Sequence, residues 1–230
     1  MTHELSSNDC SDPNIARGWI KIFFSIKNNK TTVFEYLMES AFGLTGKNFV
    51  LLVSDTNCPR SLVNQKNDID KIIEIGNKKM VIFSGNSGDI SYFVDFVQKT
   101  IQLYTLKTGY TLSTHSIANF LKKELSESFR KSGLNINLII AGYDDLIGTS
   151  LYYLDYTGNL QRMNNCIQGY AALFISSTLE RNYSNKIDLK DAVILIVKCL
   201  TVLKKRFIMY HSGFVFKIID KNGSRPLCVV

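Results

Sequence analysis

Residues 42–85 read FGLTGKNFVLLVSDTNCPRSLVNQKNDIDKIIEIGNKKMVIFSG, and the rest of the chain is arranged around them. Two apolar runs stand out, Phe49–Val53 and Met80–Phe83. Both are rich in Val, Ile, Leu and Phe and are bounded by Gly, Asn and Asp. Short runs of that kind read as buried strands. Phe42–Thr45 reads as a third strand. Gly46-Lys47-Asn48 supplies the hairpin turn into Phe49, and Gly76-Asn77-Lys78-Lys79 supplies a second turn. The polar stretch Asn57–Asp68, with its single Pro, reads as a bridging segment. Asp55 follows the first run, Lys71 precedes the second, and Gly85 ends it, so these residues form a spaced constellation.

After Gly85 the period lengthens. Ser87-Gly88-Asp89 opens a helix, along which Ile90, Phe93, Val94, Val97, Ile101 and Tyr104 recur at helical spacing. Gly109 interrupts it, and Ser113 or Thr114 can cap a second helix that Gly133 closes. Ile136–Tyr143 is apolar at successive positions, as in a strand covered on both faces. Asp144-Asp145 and Gly148 make a turn, Ser150–Tyr156 is another strand, and Thr157-Gly158-Asn159 turns again. The pair Asp144-Asp145 has no carboxylate partner nearby and reads as a solvated turn. Two further helices run from about Tyr170 to Tyr183 and from the cap Asp188 to Lys204-Lys205-Arg206, whose charges suit a helix C-terminus. Phe214–Asp220 and Arg225–Val229 close the chain around Asn222-Gly223, a hairpin signal. The order is strands, two helices, strands, two helices, strands. Two antiparallel sheets stacked face to face, each with helices outside it, account for that order: an α+β, four-layer αββα sandwich.

The 230 residues are 45% hydrophobic, enough for one large domain with a substantial core. There is no apolar run of about 20 residues, so no membrane span is expected. The cysteines Cys10, Cys58, Cys166, Cys199 and Cys228 are scattered and lack a CxxC pair, which suits a reducing compartment and argues against zinc. His3, His115 and His211 are not at ligand spacing, so neither metal nor cofactor is expected. The net charge is +7. The basic residues are spread along helices with no RNA- or DNA-binding motif beside them, so a surface meeting acidic neighbours is expected rather than nucleic acid. Residues 1–38 differ from the rest: Met1–Asn14 is polar and reads as disordered, and Trp19–Ile26 is too short for a secretory signal. The expected division is 1–38 as an extension and 39–230 as the domain.

The constellation Asp55, Lys71 and Gly85 resembles the front of proteasome beta subunits, members of the N-terminal-nucleophile hydrolases. In that family a Thr at the mature N-terminus is the nucleophile, with its own amine as base. A Lys favours its anionic form, an Asp orients the Lys, and a backbone N–H at the Gly stabilises the oxyanion. The family spacing places the Thr sixteen residues before the Asp and thirty-two before the Lys. Counted from Asp55 and from Lys71, both arrive at Glu39, and forty-six residues beyond is Gly85. A carboxylate therefore stands where the resemblance places the nucleophile. Active members also carry a Ser at the position of Tyr170, an Asp at that of Phe207 and a Ser at that of Tyr210.

The resemblance runs from Met38 to Val230. AGYD at 141–144, LYYLDY at 151–156, RFI at 206–208 and IIDKNG at 218–223 resemble the non-catalytic class at the fourth beta position of the eukaryotic ring. It implies a structural subunit of the 20S core, meeting beta subunits within and across rings and alpha subunits above, in cytoplasm and nucleus, and binding neither nucleic acid nor membrane. Asp55, Lys71 and Gly85 would be relics. The alternative is an active threonine endopeptidase using Thr31 or Thr32, but Thr32 lies twenty-three residues before Asp55, seven too many.

Overall fold

The computed structural model describes residues 39–60, 63–66, 68–207 and 213–227. The readings of 1–38 as a disordered extension, of Thr31, Thr32 and Tyr210, and of the last residues of the closing strand lie outside them.

One sheet holds five strands in the order β10-β1-β2-β11-β12: Asn165–Gly169, Ser40–Thr45, Phe49–Asp55, Phe214–Asp220 and Gly223–Pro226. The second holds β5-β6-β7-β8-β9: Ile72–Gly76, Lys79–Gly85, Ile136–Asp144, Gly148–Leu154 and Leu160–Arg162. Every pairing is antiparallel. A small hairpin, β3 (Cys58–Arg60) with β4 (Val63–Lys66), stands apart. The helices are α1 (Ser87–Thr108), α2 (Thr114–Ser132), α3 (Ala171–Asn182) and α4 (Leu189–Arg206).

The continuous apolar runs follow from three cores. In β2, Phe49, Leu51 and Val53 face α3 and α4, while Val50 and Leu52 face the other sheet. In β6, Met80 and Ile82 face between the sheets, and Val81 and Phe83 face α1 and α2. β7 divides likewise, with Ile139 and Ala141 between the sheets and Leu138 and Ile140 under the helices. A central strand with an apolar layer on each face must be apolar at every position. The four-layer αββα sandwich is thereby established.

Gly43 lets the sheets approach. A Cβ there would lie 3.0 Å from both Cys166 Sγ and Leu151 Cδ1, and 3.2 Å from Ile139 Cγ2. Gly43→Val should therefore lower stability by about 1–3 kcal/mol through overpacking. The midpoint of denaturant unfolding of the full chain checks it.

Several boundaries differ from expectation. Residues 72–76 form β5, and the bridging segment holds the β3–β4 hairpin. β9 and β10 were not anticipated, the strand expected at Ser150–Tyr156 runs Gly148–Leu154, and the closing strand is Gly223–Pro226 rather than Arg225–Val229. α1 opens at Ser87 as expected, and Asn86 caps it, its side chain accepting from the Gly88 N–H. Ser113 caps α2 by accepting from the Ser116 N–H. Asp188 occupies the N-cap of α4, but its side chain accepts no capping bond and instead pairs with Lys47 at 3.0 Å.

Candidate functional site

The two sheets bring Glu39, Asp55 and Lys71 together at one end of the sandwich. Glu39 immediately precedes β1 and Asp55 ends β2, so both come from one sheet. Lys71 leads into β5 of the other, anchored by Ile72 in the core between the sheets. Lys71 Nζ donates to Asp55 Oδ1 at 2.7 Å and lies 3.1 Å from Glu39 Oε1. The side chains are 9% (Lys71), 4% (Asp55) and 13% (Glu39) exposed, so solvent screens the pairs weakly. The Ser40 N–H also donates to Asp55.

One ammonium thus faces two carboxylates in a poorly solvated place. Burial pushes the Asp55 carboxyl up to about 6, against the pull of Lys71, and the like charge of Glu39 pushes the same way. For Lys71, burial works to lower the pKa, but Glu39 and Asp55 together overcome it and hold the ammonium above its ordinary value. Lys71 is therefore a fixed cation and not a base.

Asp55 has a pH consequence. Its folded pKa lies above the unfolded 3.8, so the unfolded chain loses this proton first. The group's contribution to stability is complete below about pH 4, falls as pH rises to about 6 and then levels. Asp55→Asn removes that fall. Urea midpoints across this range should show the wild-type advantage over the variant shrinking between pH 4 and 6 and staying constant above.

A second group gathers beside α3 and α4. Tyr170 is the N-cap of α3 and Phe207 the C-cap of α4. Their rings stack with centroids 5.8 Å apart, and Phe174 lies 5.6 Å from Phe207. Two of the three positions that the resemblance makes polar in active members, Tyr170 and Phe207, are thus parts of one aromatic cluster. Gly85 closes β6 in the other sheet, opposite Ile136 of β7, with φ 153°.

Sequence reasoning missed three participants near Lys71. Lys217, on β11, donates to the Ile72 carbonyl at 2.7 Å and pairs with Asp70. It crosses from the first sheet to the second, opposite in sense to Lys71, so two lysines stitch the sheets at this end. A Lys inside the apolar strand FVFKIID was the available signal. Gln168 on β10 sits opposite Ala41 with both side-chain polar atoms buried and unpartnered among the described residues. Glu39 Oε2 and Ser54 Oγ are likewise buried without partners there.

The family model described as "Proteasome subunit" matches residues 38–219. The chain belongs to the proteasome subunit family. Three relatives are named as beta-type. It is 38% identical over 188 residues to proteasome subunit beta type-2-A of Arabidopsis thaliana, covering 82% of this chain and 92% of that one. It is 39% identical over 193 residues to proteasome subunit beta type-2 of Dictyostelium discoideum, covering 83% and 97%. It is 31% identical over 192 residues to the probable proteasome subunit beta type-4 of Schizosaccharomyces pombe, covering 83% and 99%. The proteasome match begins at Met38, one residue before Glu39, so the cluster stands at the front of the shared region. Within this fold Lys71 pairs with Asp55 and with Glu39, three charged side chains at the front of the shared region.

Proposed function

We propose that this beta-type chain is a structural, non-catalytic subunit of the 20S core, helping to build the ring and the wall of the chamber in which other subunits cut. Glu39 carries the proposal. The resemblance puts a nucleophilic hydroxyl at this position, and here a carboxylate pairs with the Lys71 ammonium at 3.1 Å. A carboxylate there has no proton to surrender to an attacking step, and it neutralises the cation that would favour an alkoxide. The Tyr170–Phe207 stack supports the same reading, because neither ring can activate a hydroxyl. On this reading Asp55 and Lys71 serve to join the sheets, Gly85 serves its strand end, and no cofactor takes part.

Assembly has its own support. Tyr92, Leu103 and Leu106 on α1, Leu146 at the β7–β8 turn, Leu173 on α3 and Ile194 on α4 are large apolar side chains left exposed on the isolated chain. Permanent ring contacts of about 2,000 Å² or more are of the kind that cover such groups. The partners are beta subunits within and across rings and alpha subunits, in cytoplasm and nucleus. Native mass spectrometry of purified core particles should find the chain in fixed stoichiometry; recovery only as free monomer would overturn the assignment.

A further inference from the structure

Helix α1 is apolar on two faces. Phe93, Val94, Val97 and Ile101 point into the core. Tyr92, Phe96, Leu103 and Leu106 fall on the opposite side, within a sector of about 80° at ~100° per residue. They form a stripe roughly 21 Å long at ~1.5 Å per residue. Tyr92 is 70%, Leu103 51% and Leu106 76% exposed. A contiguous exposed apolar stripe of this kind marks an interaction surface.

The chain carries a segment that suits it. Residues 19–26, WIKIFFSI, precede the region matched by the family model, which starts at residue 38. Along them Trp19, Ile22, Phe23 and Ile26 recur at i, i+3, i+4 and i+7, the spacing of anchors that seat an apolar face on a helix surface. Ile26 is thirteen positions before Glu39, a tether of at most about 43 Å at ~3.3 Å per residue. Glu39 and Lys71 mark one end of the sandwich. Ile72, next to Lys71, pairs with Ile82, so β6 runs out to that same end and α1 begins there at Ser87. The whole of α1 is about 33 Å long at ~1.5 Å per residue, so the tether can reach the stripe.

Charge agrees with this pairing. Residues 15–30 hold Arg17, Lys21, Lys27 and Lys30 and no acid. The N-terminal half of the stripe is flanked by Asp89 and Asp95. Asp95 pairs with the exposed Lys99, and Asp89 has no ion pair among the described residues. A tethered segment also competes well against a second copy, because an intramolecular contact acts at a high effective concentration.

We propose that residues 19–26 dock on the α1 stripe of their own chain while that chain is free. A ring contact made through α1 would displace them. The inference is independent of the cluster at Lys71 and holds whether or not the subunit cuts peptides.

Trp19 is the single tryptophan of the chain, so its fluorescence reports this segment alone. Acrylamide quenching of the free full-length chain is the test. Trp19 should be quenched far less than in a synthetic peptide of residues 15–30, and equally at every chain concentration. Leu103→Asp with Leu106→Asp should lower the docking equilibrium about tenfold or more, raising quenching toward that of the peptide. Both leucines lie outside the core, so the circular dichroism of this variant should match the wild type. Leu173→Asp, at an exposed leucine on α3, should leave the quenching unchanged. Peptide-like quenching in the wild type would overturn the proposal with no variant needed. So would shielding that survives the Leu103 and Leu106 substitutions, or that Leu173→Asp removes equally. Shielding lost on dilution would also overturn it and assign the stripe to a second copy.

Discussion

Lys71→Ala should destabilise the chain by about 3–5 kcal/mol, enough to prevent its accumulation as a folded subunit. The lysine is the shared cation of two buried carboxylates, Asp55 at 2.7 Å and Glu39 at 3.1 Å. Removing one partner of a buried pair leaves the other charge uncompensated, and here it leaves two. It also cuts a link between the sheets, because Lys71 belongs to one sheet and both acids to the other. Neutralising all three at once should behave differently. In Glu39→Gln/Asp55→Asn/Lys71→Met no charge is stranded, so most of the loss should be recovered. Denaturant unfolding of the single and triple variants checks this. A single variant as stable as the triple would mean that the pairs contribute little.

Gly85→Ala should produce the second large effect. Its φ of 153° is one that residues with a side chain rarely adopt, and holding Ala there costs about 1–3 kcal/mol. A Cβ would also lie 2.5 Å from the Asn135 carbonyl oxygen and 3.2 Å from Ile136 Cα. These are backbone atoms of the neighbouring strand and the turn leading into it, so they cannot swing aside as a flexible side chain would. Overpacking adds about 1–3 kcal/mol more. The β6–β7 pairing should loosen first at the Gly85–Ile136 end, read as faster hydrogen exchange at Ile136 and Asn137 than at Ile139 and Ile140. The glycine thus has a structural requirement in this chain without any oxyanion.

What the sequence made legible follows from where each strand sits. β2, β6 and β7 are covered by apolar layers on both faces, and their unbroken apolar runs stand out from the polar turns. Of the strands missed or misplaced in the two large sheets, β5, β9, β10 and β12 are sheet edges, and only β8, shifted by two residues, is interior. An edge strand pairs on one side only and can be short and mixed in polarity, so LQR of β9 and NCIQG of β10 show no continuous apolar run. Helix ends were legible wherever glycine closes them, and Gly109 and Gly133 both take the left-handed conformation. Asp188 starts α4 as expected, but Lys47, far away in sequence, captures its carboxylate and no side-chain capping bond forms.

Family spacing puts Glu39, Asp55 and Lys71 in register, and the fold brings the three side chains within ion-pair distance. The aromatic stack was legible only as two separate substitutions. That Tyr170 and Phe207 touch depends on how α3 packs against α4, a long-range matter that no local pattern reports. Lys217 was missed for a related reason: its partners, Ile72 and Asp70, lie about 145 residues earlier.

The central claim is that Glu39 stands where a nucleophile would have to be. Treatment of intact core particles with a peptide epoxyketone, followed by mass analysis of every subunit, tests it most directly. The account predicts adducts on companion beta subunits and none on this chain. An adduct on this chain, at Thr31, Thr32 or any other residue, would contradict it.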